Sequence, residues 1–181
     1  MLIAAAAAFS VRGYHATTTR DIAAQAGMSP AAVYIHYRSK EELLFQISRI
    51  GHATSLSLLT GVPEVDPAAR LAAAVRAFAS WHAEYHTTAR VVQYELSALT
   101  PEHLVEVVEL RRRIEASVRE MVEAGVAAGA FDVPEVRGAT LAVLSLCIDV
   151  ARWYQPGGRR TPAEIGDLYA DLVLRMVGAT D

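Results

Sequence analysis

The sequence has one cysteine, and only 20% of its 181 residues are charged. With Cys147 alone, no disulfide can form within the chain, which is typical of a protein that folds in a reducing compartment. Hydrophobic residues make up 52% of the chain, which supplies enough apolar material for a core. Because little charge accompanies this apolar content, we expect a folded protein and not a disordered chain.

Long apolar runs are also missing. The longest, residues 139–150, is interrupted by Thr140, Ser145 and Asp149 and is too short to span a bilayer. The apolar start of the chain lacks the preceding basic segment of a secretory signal peptide. No phosphate-binding glycine loop, nucleophile elbow or paired-carboxylate motif occurs. We expect a soluble cytoplasmic protein with no membrane partner, no cofactor and no enzymatic activity.

Charge is unevenly distributed along the chain. Residues 1–50 carry five cations against three anions, whereas the remainder carries 12 cations against 17 anions. A mildly basic first segment followed by an acidic remainder suits a protein that presents one end to phosphate.

Strand signals are lacking, because no segment alternates apolar and polar residues with β-branched enrichment. Helical periodicity and helix-ending residues are abundant, with a linker-like stretch of one glycine and two prolines at residues 61–67. The pattern predicts an all-α fold of nine helices. We place them at about 2–12, 19–26, 30–37, 40 to beyond 50, 68–85, 88–99, 101–128, 134–154 and 162–178.

Capping signals define two short helices near the N-terminus. Thr18 stands three residues before Asp21, which is the arrangement of an N-cap and its acidic partner. Gly27 ends this helix, and Ser29 followed by Pro30 starts the next one. The spacing is that of a helix-turn-helix, whose second helix enters the DNA major groove.

The second of these helices has side chains suited to a DNA surface. Ala31 and Ala32 have small side chains on one face of the helix, so the helix backbone can approach the bases. Tyr34, Ile35 and His36 project around the rest of the helix. The alternative is that these residues are ordinary caps and small surface residues of a helical bundle.

Residues 13–43 resemble the N-terminal domain of TetR-family repressors. They contain that family's Gly-Tyr, Thr-Thr, Ile-Ala, Ala-Gly, Val-Tyr-x-His-Tyr and Lys-Glu-x-Leu elements, in order and without gaps. The resemblance implies a nine-helix TetR-like architecture, with a helix-turn-helix domain at residues 1–48 and a ligand-binding and dimerisation domain at residues 49–181. It further implies a homodimeric repressor that a small hydrophobic ligand releases from a palindromic operator.

The resemblance also implies which residues meet DNA. Phosphate contacts are expected from Thr19, Ser29, Tyr34, His36 and Lys40, and base approaches from Ala31, Ala32 and Ile35, with Pro30 on the same surface. Two features depart from the usual pattern: the second helix has no Arg, Asn or Gln for a bidentate base contact, and the sequence begins at the first helix, without the basic arm that often precedes it. Either that arm is absent or the start codon lies further upstream. Specificity is therefore expected to depend on apolar contacts, water and DNA shape.

The last two predicted helices are the candidates for a dimer interface. The final helix carries a regular apolar stripe, and the one before it is apolar almost all round, which predicts burial on two sides. TetR-like proteins form a four-helix interface from these helices; an ordinary intrachain core is the alternative. The expected interface residues are Val143, Cys147, Val150, Ile165, Leu168, Leu172 and Met176.

Aromatic and apolar residues between these regions are candidates for a ligand chamber. Residues 151–158 resemble a segment of TetR-family regulators of lipid and sterol breakdown, which implies an acyl-CoA thioester as the effector. Any single aromatic residue here is more often part of a plain core than a ligand contact. The expected ligand-binding residues are Trp81, Tyr85, Tyr94, Glu95, Leu99, Leu110 and Trp153.

A pair of histidines defines an alternative function. His82 and His86, at i and i+4, would share one helix face and could hold Zn²⁺. No third ligand is evident in the sequence, so we predict no metal site. The alternatives to a regulator are a helical metalloenzyme using this pair, or a helical dimerisation module that does not bind DNA.

Overall fold

The computed structural model describes residues 1–63 and 66–179, so residues 64 and 65 of the linker-like stretch lie outside the described residues. Within these ranges the chain forms nine α-helices, one 3₁₀ turn and no strand, which confirms the all-α prediction. The helices are α1 (Leu2–Arg12), α2 (Thr19–Gln25), α3 (Pro30–His36), α4 (Lys40–Thr60), α5 (Pro67–Glu84), α6 (His86–Tyr94), α7 (Pro101–Ala127), α8 (Val136–Trp153) and α9 (Pro162–Met176).

Local hydrogen bonds account for the short helices. The Thr18 hydroxyl accepts from the Asp21 N–H, and the Asp21 carboxylate accepts from the Thr18 N–H at 2.8 Å, which closes the predicted capping box of α2. The Thr18 hydroxyl also donates to the Asp21 carboxylate at 2.6 Å, and the bonds donated by the Thr18 hydroxyl and N–H lower the pKa of Asp21. At the end of α2, Gly27 has φ +66°, a conformation that L side chains rarely adopt.

The helices near residue 90 differ from the prediction. α5 ends at Glu84 and α6 begins at His86, so the two histidines lie on different helices and not on one continuous face. α6 ends at Tyr94, and the expected continuation to residue 99 is instead a 3₁₀ turn at Leu96–Ala98. There the Ala98 N–H donates to the Glu95 carbonyl at 3.0 Å, a tighter i→i+3 bond than an α-helix makes.

The first of two compact units contains residues 1–53 and 87–110. Its core joins α1–α4 to α6 and the start of α7 through buried side chains. They include Phe9, Ile22, Val33, Leu43, Leu44, Val91, Val92, Leu99 and Val107. The segment 87–110 therefore packs with the segment that contains α2 and α3, although the two are far apart in the sequence.

The second unit contains residues 54–86 and 111 onward. In it, α5 packs against α8 and most extensively against α9. The backbones of α9 and α5 come close together at Gly166, where an added Cβ would lie 2.6 Å from the Arg76 carbonyl oxygen. The Arg76 guanidinium also contacts the Asp167 carboxylate at 2.6 Å. None of the described helices is long and apolar enough to cross a membrane.

Candidate functional site

Helix α3 presents most of its surface to solvent. Val33 is the residue that anchors it, because this side chain is fully buried in the core of the first unit. Tyr34 is 54% exposed and Ile35 79% exposed. The Ser29 hydroxyl accepts from the Ala32 N–H at 3.3 Å and so caps the helix. The remaining predicted DNA-facing residues of this helix, Pro30, Ala31, Ala32 and His36, are exposed or half-buried.

The structure joins two of the predicted phosphate-contacting residues. Thr19, the first residue of α2, and Tyr34 of α3 place their hydroxyl oxygens 3.0 Å apart. Both groups lie at the surface, and after their mutual hydrogen bond the two hydroxyls keep lone pairs and one proton for a further partner. This pair therefore offers a hydrogen-bonding site on the same face of the two helices.

Lys40 has a role that the sequence did not predict. Its ammonium donates to the carbonyl oxygens of Tyr14 at 2.8 Å and Thr17 at 2.9 Å, and lies 4.2 Å from the centre of the Tyr14 ring. The turn between α1 and α2 leaves these carbonyls outside the helical hydrogen-bond pattern, and a cation satisfies them. The expected phosphate contact of Lys40 stays a prediction.

The predicted ligand-binding residues fall into two groups. Tyr94, Glu95, Leu99 and Leu110 belong to the first unit, where Leu99 is part of the core and the Glu95 carboxylate accepts from the Tyr14 N–H at 3.1 Å. Trp81, Tyr85 and Trp153 belong to the second unit. There the rings of Trp81 and Tyr85 lie 5.6 Å apart. The assignment of these residues to a ligand stays a prediction.

A surface pocket of about 250 Å³ lies in the second unit, at the loop between α8 and α9. It combines an aromatic and apolar wall with two arginines at its edge. Trp153 is the one predicted ligand-binding residue in this lining. The remaining residues that line the pocket are Tyr154, Gln155, Gly158, Arg159, Arg160, Ile165 and Leu168.

The seven predicted interface residues divide by exposure. Val143, Cys147, Val150 and Ile165 are buried within the chain, where their side chains fill the interior of the second unit. Burial raises the pKa of the Cys147 thiol to about 12. Leu168 is half-buried, and Leu172 and Met176 are exposed. Large exposed apolar side chains that the prediction omitted lie on α8, namely Leu141, Leu146 and Trp153.

Two family models match nearly all of the chain. Residues 2–47 match the model of bacterial regulatory proteins of the tetR family, and residues 64–177 match the C-terminal domain of tetracyclin repressor-like proteins. The chain belongs to the TetR family. The members of this family are DNA-binding transcriptional regulators. In this chain α2 and α3 therefore form the helix-turn-helix.

Relatives of this TetR-family chain are similar to it over most of their lengths. The transcriptional repressor KstR2 of Mycolicibacterium smegmatis is 30% identical, covering 96% of this chain and 87% of that protein. A tetR-family regulatory protein from Rhodococcus RHA1 is 43% identical, with a TM-score of 0.91 and coverage of 99% and 96%. The structure of AibR in complex with isovaleryl coenzyme A and operator DNA is 24% identical, with a TM-score of 0.85 and coverage of 99% and 97%.

Each histidine of the pair in this TetR-family chain contacts a backbone carbonyl of α5. His82 is buried, and its Nδ1–H donates to the Phe78 carbonyl at 2.8 Å. His86 Nδ1 contacts the Ala83 carbonyl at 3.0 Å. Among residues 1–63 and 66–179, no group of three His, Cys, Asp or Glu side chains is arranged to hold a metal ion.

Proposed function

We propose that this chain is a ligand-responsive repressor that binds a roughly palindromic operator as a homodimer. The observation that carries the proposal is the exposed face of α3, whose small and apolar side chains stand on a buried Val33 anchor within a TetR-family helix-turn-helix. Residues 1–48 are the proposed DNA-binding domain and residues 49–181 the ligand-binding and dimerisation domain. The similarity to KstR2 repressors supports repression and not activation.

In this proposal Ala31, Ala32 and Ile35 approach the bases. The Thr19 and Tyr34 hydroxyls and the exposed His36 contact phosphate, while Ser29 and Pro30 hold the N-terminus of α3 close to the backbone of the DNA. No long polar side chain of α3 makes bidentate contacts to a base edge. Sequence selection then comes from thymine methyl contacts, water and DNA deformability.

Dimerisation follows from the exposed apolar side chains of α8 and α9. Leu141 is 47% exposed, Leu172 41% and Met176 39%, so both helices leave large apolar side chains at the surface of the chain. A second copy of the chain would cover this surface. Two copies are also required by the DNA, because successive major grooves on one face lie about 34 Å apart.

We propose an acyl-CoA thioester as the effector, bound with contributions from the pocket between α8 and α9. Arg159 and Arg160 offer positive charge for phosphate groups, and Trp153 offers an aromatic wall for a planar base or an apolar chain. The binding of isovaleryl coenzyme A by AibR supports this class of ligand. Effector and DNA would each weaken the binding of the other, because the coupling free energy is reciprocal.

A regulator of this kind needs no catalytic machinery, and we propose that the chain is not an enzyme and acts in the cytoplasm, where its operator is. The test is a binding titration of the purified protein on the DNA segment upstream of its own gene. The repressor reading predicts sequence-selective binding that weakens steeply with salt. Equal affinity for that segment and for a scrambled one would contradict it.

The effector is tested separately, by adding a panel of CoA thioesters and other hydrophobic metabolites to the preformed complex. Release by a CoA thioester, but not by free CoA or the free acid, is expected. Arg160→Ala should weaken this response without changing DNA affinity, and Arg90→Ala, an exposed arginine on α6, serves as the control.

A further inference from the structure

The N-terminus of α7 lacks a complete cap of its own. Thr100 precedes the helix and accepts from the His103 N–H through its hydroxyl at 3.4 Å. In a capping box, the residue at this third position returns a side-chain acceptor to the N–H of the capping residue. His103 does not do so, because its Nδ1 is directed to a carboxylate elsewhere.

Glu41, in the first turn of α4, supplies the missing acceptor. Its Oε1 accepts from the Thr100 N–H at 3.0 Å, a contact between residues 59 positions apart in the sequence. The same carboxylate accepts from His103 Nδ1 at 2.8 Å. The His103 ring is stacked on Phe45, one turn further along α4, with ring centres 3.8 Å apart. The start of α4 therefore completes the cap of α7.

The same turn of α4 also holds the segment that leads into the helix-turn-helix. Lys40, next to Glu41, donates to the carbonyls of Tyr14 and Thr17. A second carboxylate, that of Glu95, accepts from the Tyr14 N–H. Thr18, which follows Thr17, is the N-cap of α2. The turn between α1 and α2 is therefore attached to α4 and to the end of α6.

We propose that Glu41 is a positioning residue for DNA binding: it caps α7 from α4, and through Lys40 it makes the placement of α2 depend on the start of α7. This inference rests on the proposed function, since it assigns a route by which the helix-turn-helix is held in place. All the residues involved belong to the first unit, whose packing includes segment 87–110. Glu41 itself does not contact DNA in this proposal; it acts through Lys40, Thr100 and His103.

Amide hydrogen exchange of the full-length protein without DNA tests the proposal. Glu41→Ala should increase exchange at Thr100 and also at Tyr14 and Thr17 by roughly five-fold, the effect expected when a helix cap is lost. Glu41→Gln retains an acceptor oxygen and should restore exchange at Thr100 close to the wild-type rate. Glu102→Ala removes an exposed carboxylate from the same turn of α7 and should leave Tyr14 and Thr17 unchanged.

Exchange that rises at Thr100 but not at Tyr14 or Thr17 would overturn the proposal, because the cap would then be a local feature of α7. If Glu41→Ala does not fold, His103→Ala is the second variant, because it removes the stacked ring and leaves the bond from the Thr100 N–H to Glu41. This variant should also increase exchange at Tyr14. Affinity for the upstream DNA segment should fall roughly five- to ten-fold in Glu41→Ala and stay unchanged in Glu102→Ala. If the wild type binds no DNA, the proposed function fails, while the exchange rates still decide the role of Glu41.

Discussion

The hydroxyl oxygens of Thr19 and Tyr34 lie 3.0 Å apart and join the first turn of α2 to the middle of α3. Each residue comes from a different helix of the helix-turn-helix, and neither is buried. An exposed hydrogen bond of this kind contributes little to stability, because water competes for both groups. A role in binding therefore explains the pair better than a role in folding.

Removing one hydroxyl of this pair separates the two roles. Tyr34→Phe should weaken operator binding by about 1 kcal/mol, roughly the value of one hydrogen bond, and leave the melting temperature unchanged. Binding is measured by fluorescence anisotropy on the upstream DNA segment. Tyr94→Phe is the control, because Tyr94 is 63% exposed and lies outside the helix-turn-helix. Equal affinities for Tyr34→Phe and the wild type would remove this hydroxyl from the DNA interface.

The proposed dimer surface is tested by placing a charge on it. Leu172→Asp should convert the protein from dimer to monomer in sedimentation equilibrium, because a symmetric interface would bury two unpaired carboxylates. Val105→Asp is the matched control, since Val105 is also large, apolar and 69% exposed, but lies on α7. A dimer that persists in Leu172→Asp would place the interface elsewhere.

Gly166 sets the approach of α9 to α5. Gly166→Ala should destabilise the protein by about 2 kcal/mol in urea unfolding, because the new methyl group would meet the Ser80 hydroxyl and the Arg76 backbone oxygen, and no side-chain movement relieves the contact with the backbone oxygen. Gly138→Ala is the comparison: there the methyl group meets only the end of the Glu135 side chain, 2.7 Å away. A smaller loss, about 1 kcal/mol or less, is expected at Gly138, because moving the Glu135 side chain weakens its cap on the Arg137 and Gly138 N–H groups while alanine favours the helix.

The buried thiol of Cys147 makes stability depend on pH in the alkaline range. Burial raises its pKa from an ordinary value of 9.0 to about 12, so the folded state keeps a proton that the unfolded chain releases first. The stabilisation is complete below pH 9 and is lost between pH 9 and about pH 12.

We therefore compare wild type with Cys147→Ala, in which every other titrating group is the same. Above pH 9 the unfolding free energy of the wild type should fall, relative to that of Cys147→Ala, by about 1.4 kcal/mol per pH unit. Below that pH the difference should be constant. A constant difference up to pH 11 would show that the thiolate is tolerated in the folded protein.

Much of the helix-turn-helix follows from the sequence because its determinants are local. Thr18 and Asp21 are three residues apart, and Ser29 precedes Pro30, so caps and turns are encoded within a few positions. The exposure of Tyr34 and Ile35 also follows, once Val33 is recognised as the buried anchor. The predicted helices at 68–85 and 88–99 already separated α5 from α6, but helical periodicity did not reveal that α6 ends at Tyr94 and is followed by a 3₁₀ turn.

Other properties were decided by tertiary packing. Helical spacing placed Val143 and Ile165 beside Leu172 as interface candidates, but a stripe does not show which side meets the chain's own core; packing against α5 buries the first two and leaves Leu172 exposed. Lys40 satisfies carbonyls more than twenty residues away, and Glu41 caps a helix 59 residues away. By itself the sequence determined the helices, their caps and the family, because those depend on neighbours in the chain. Only the folded structure decided which polar groups pair and which apolar faces stay uncovered, because those depend on contacts between distant segments.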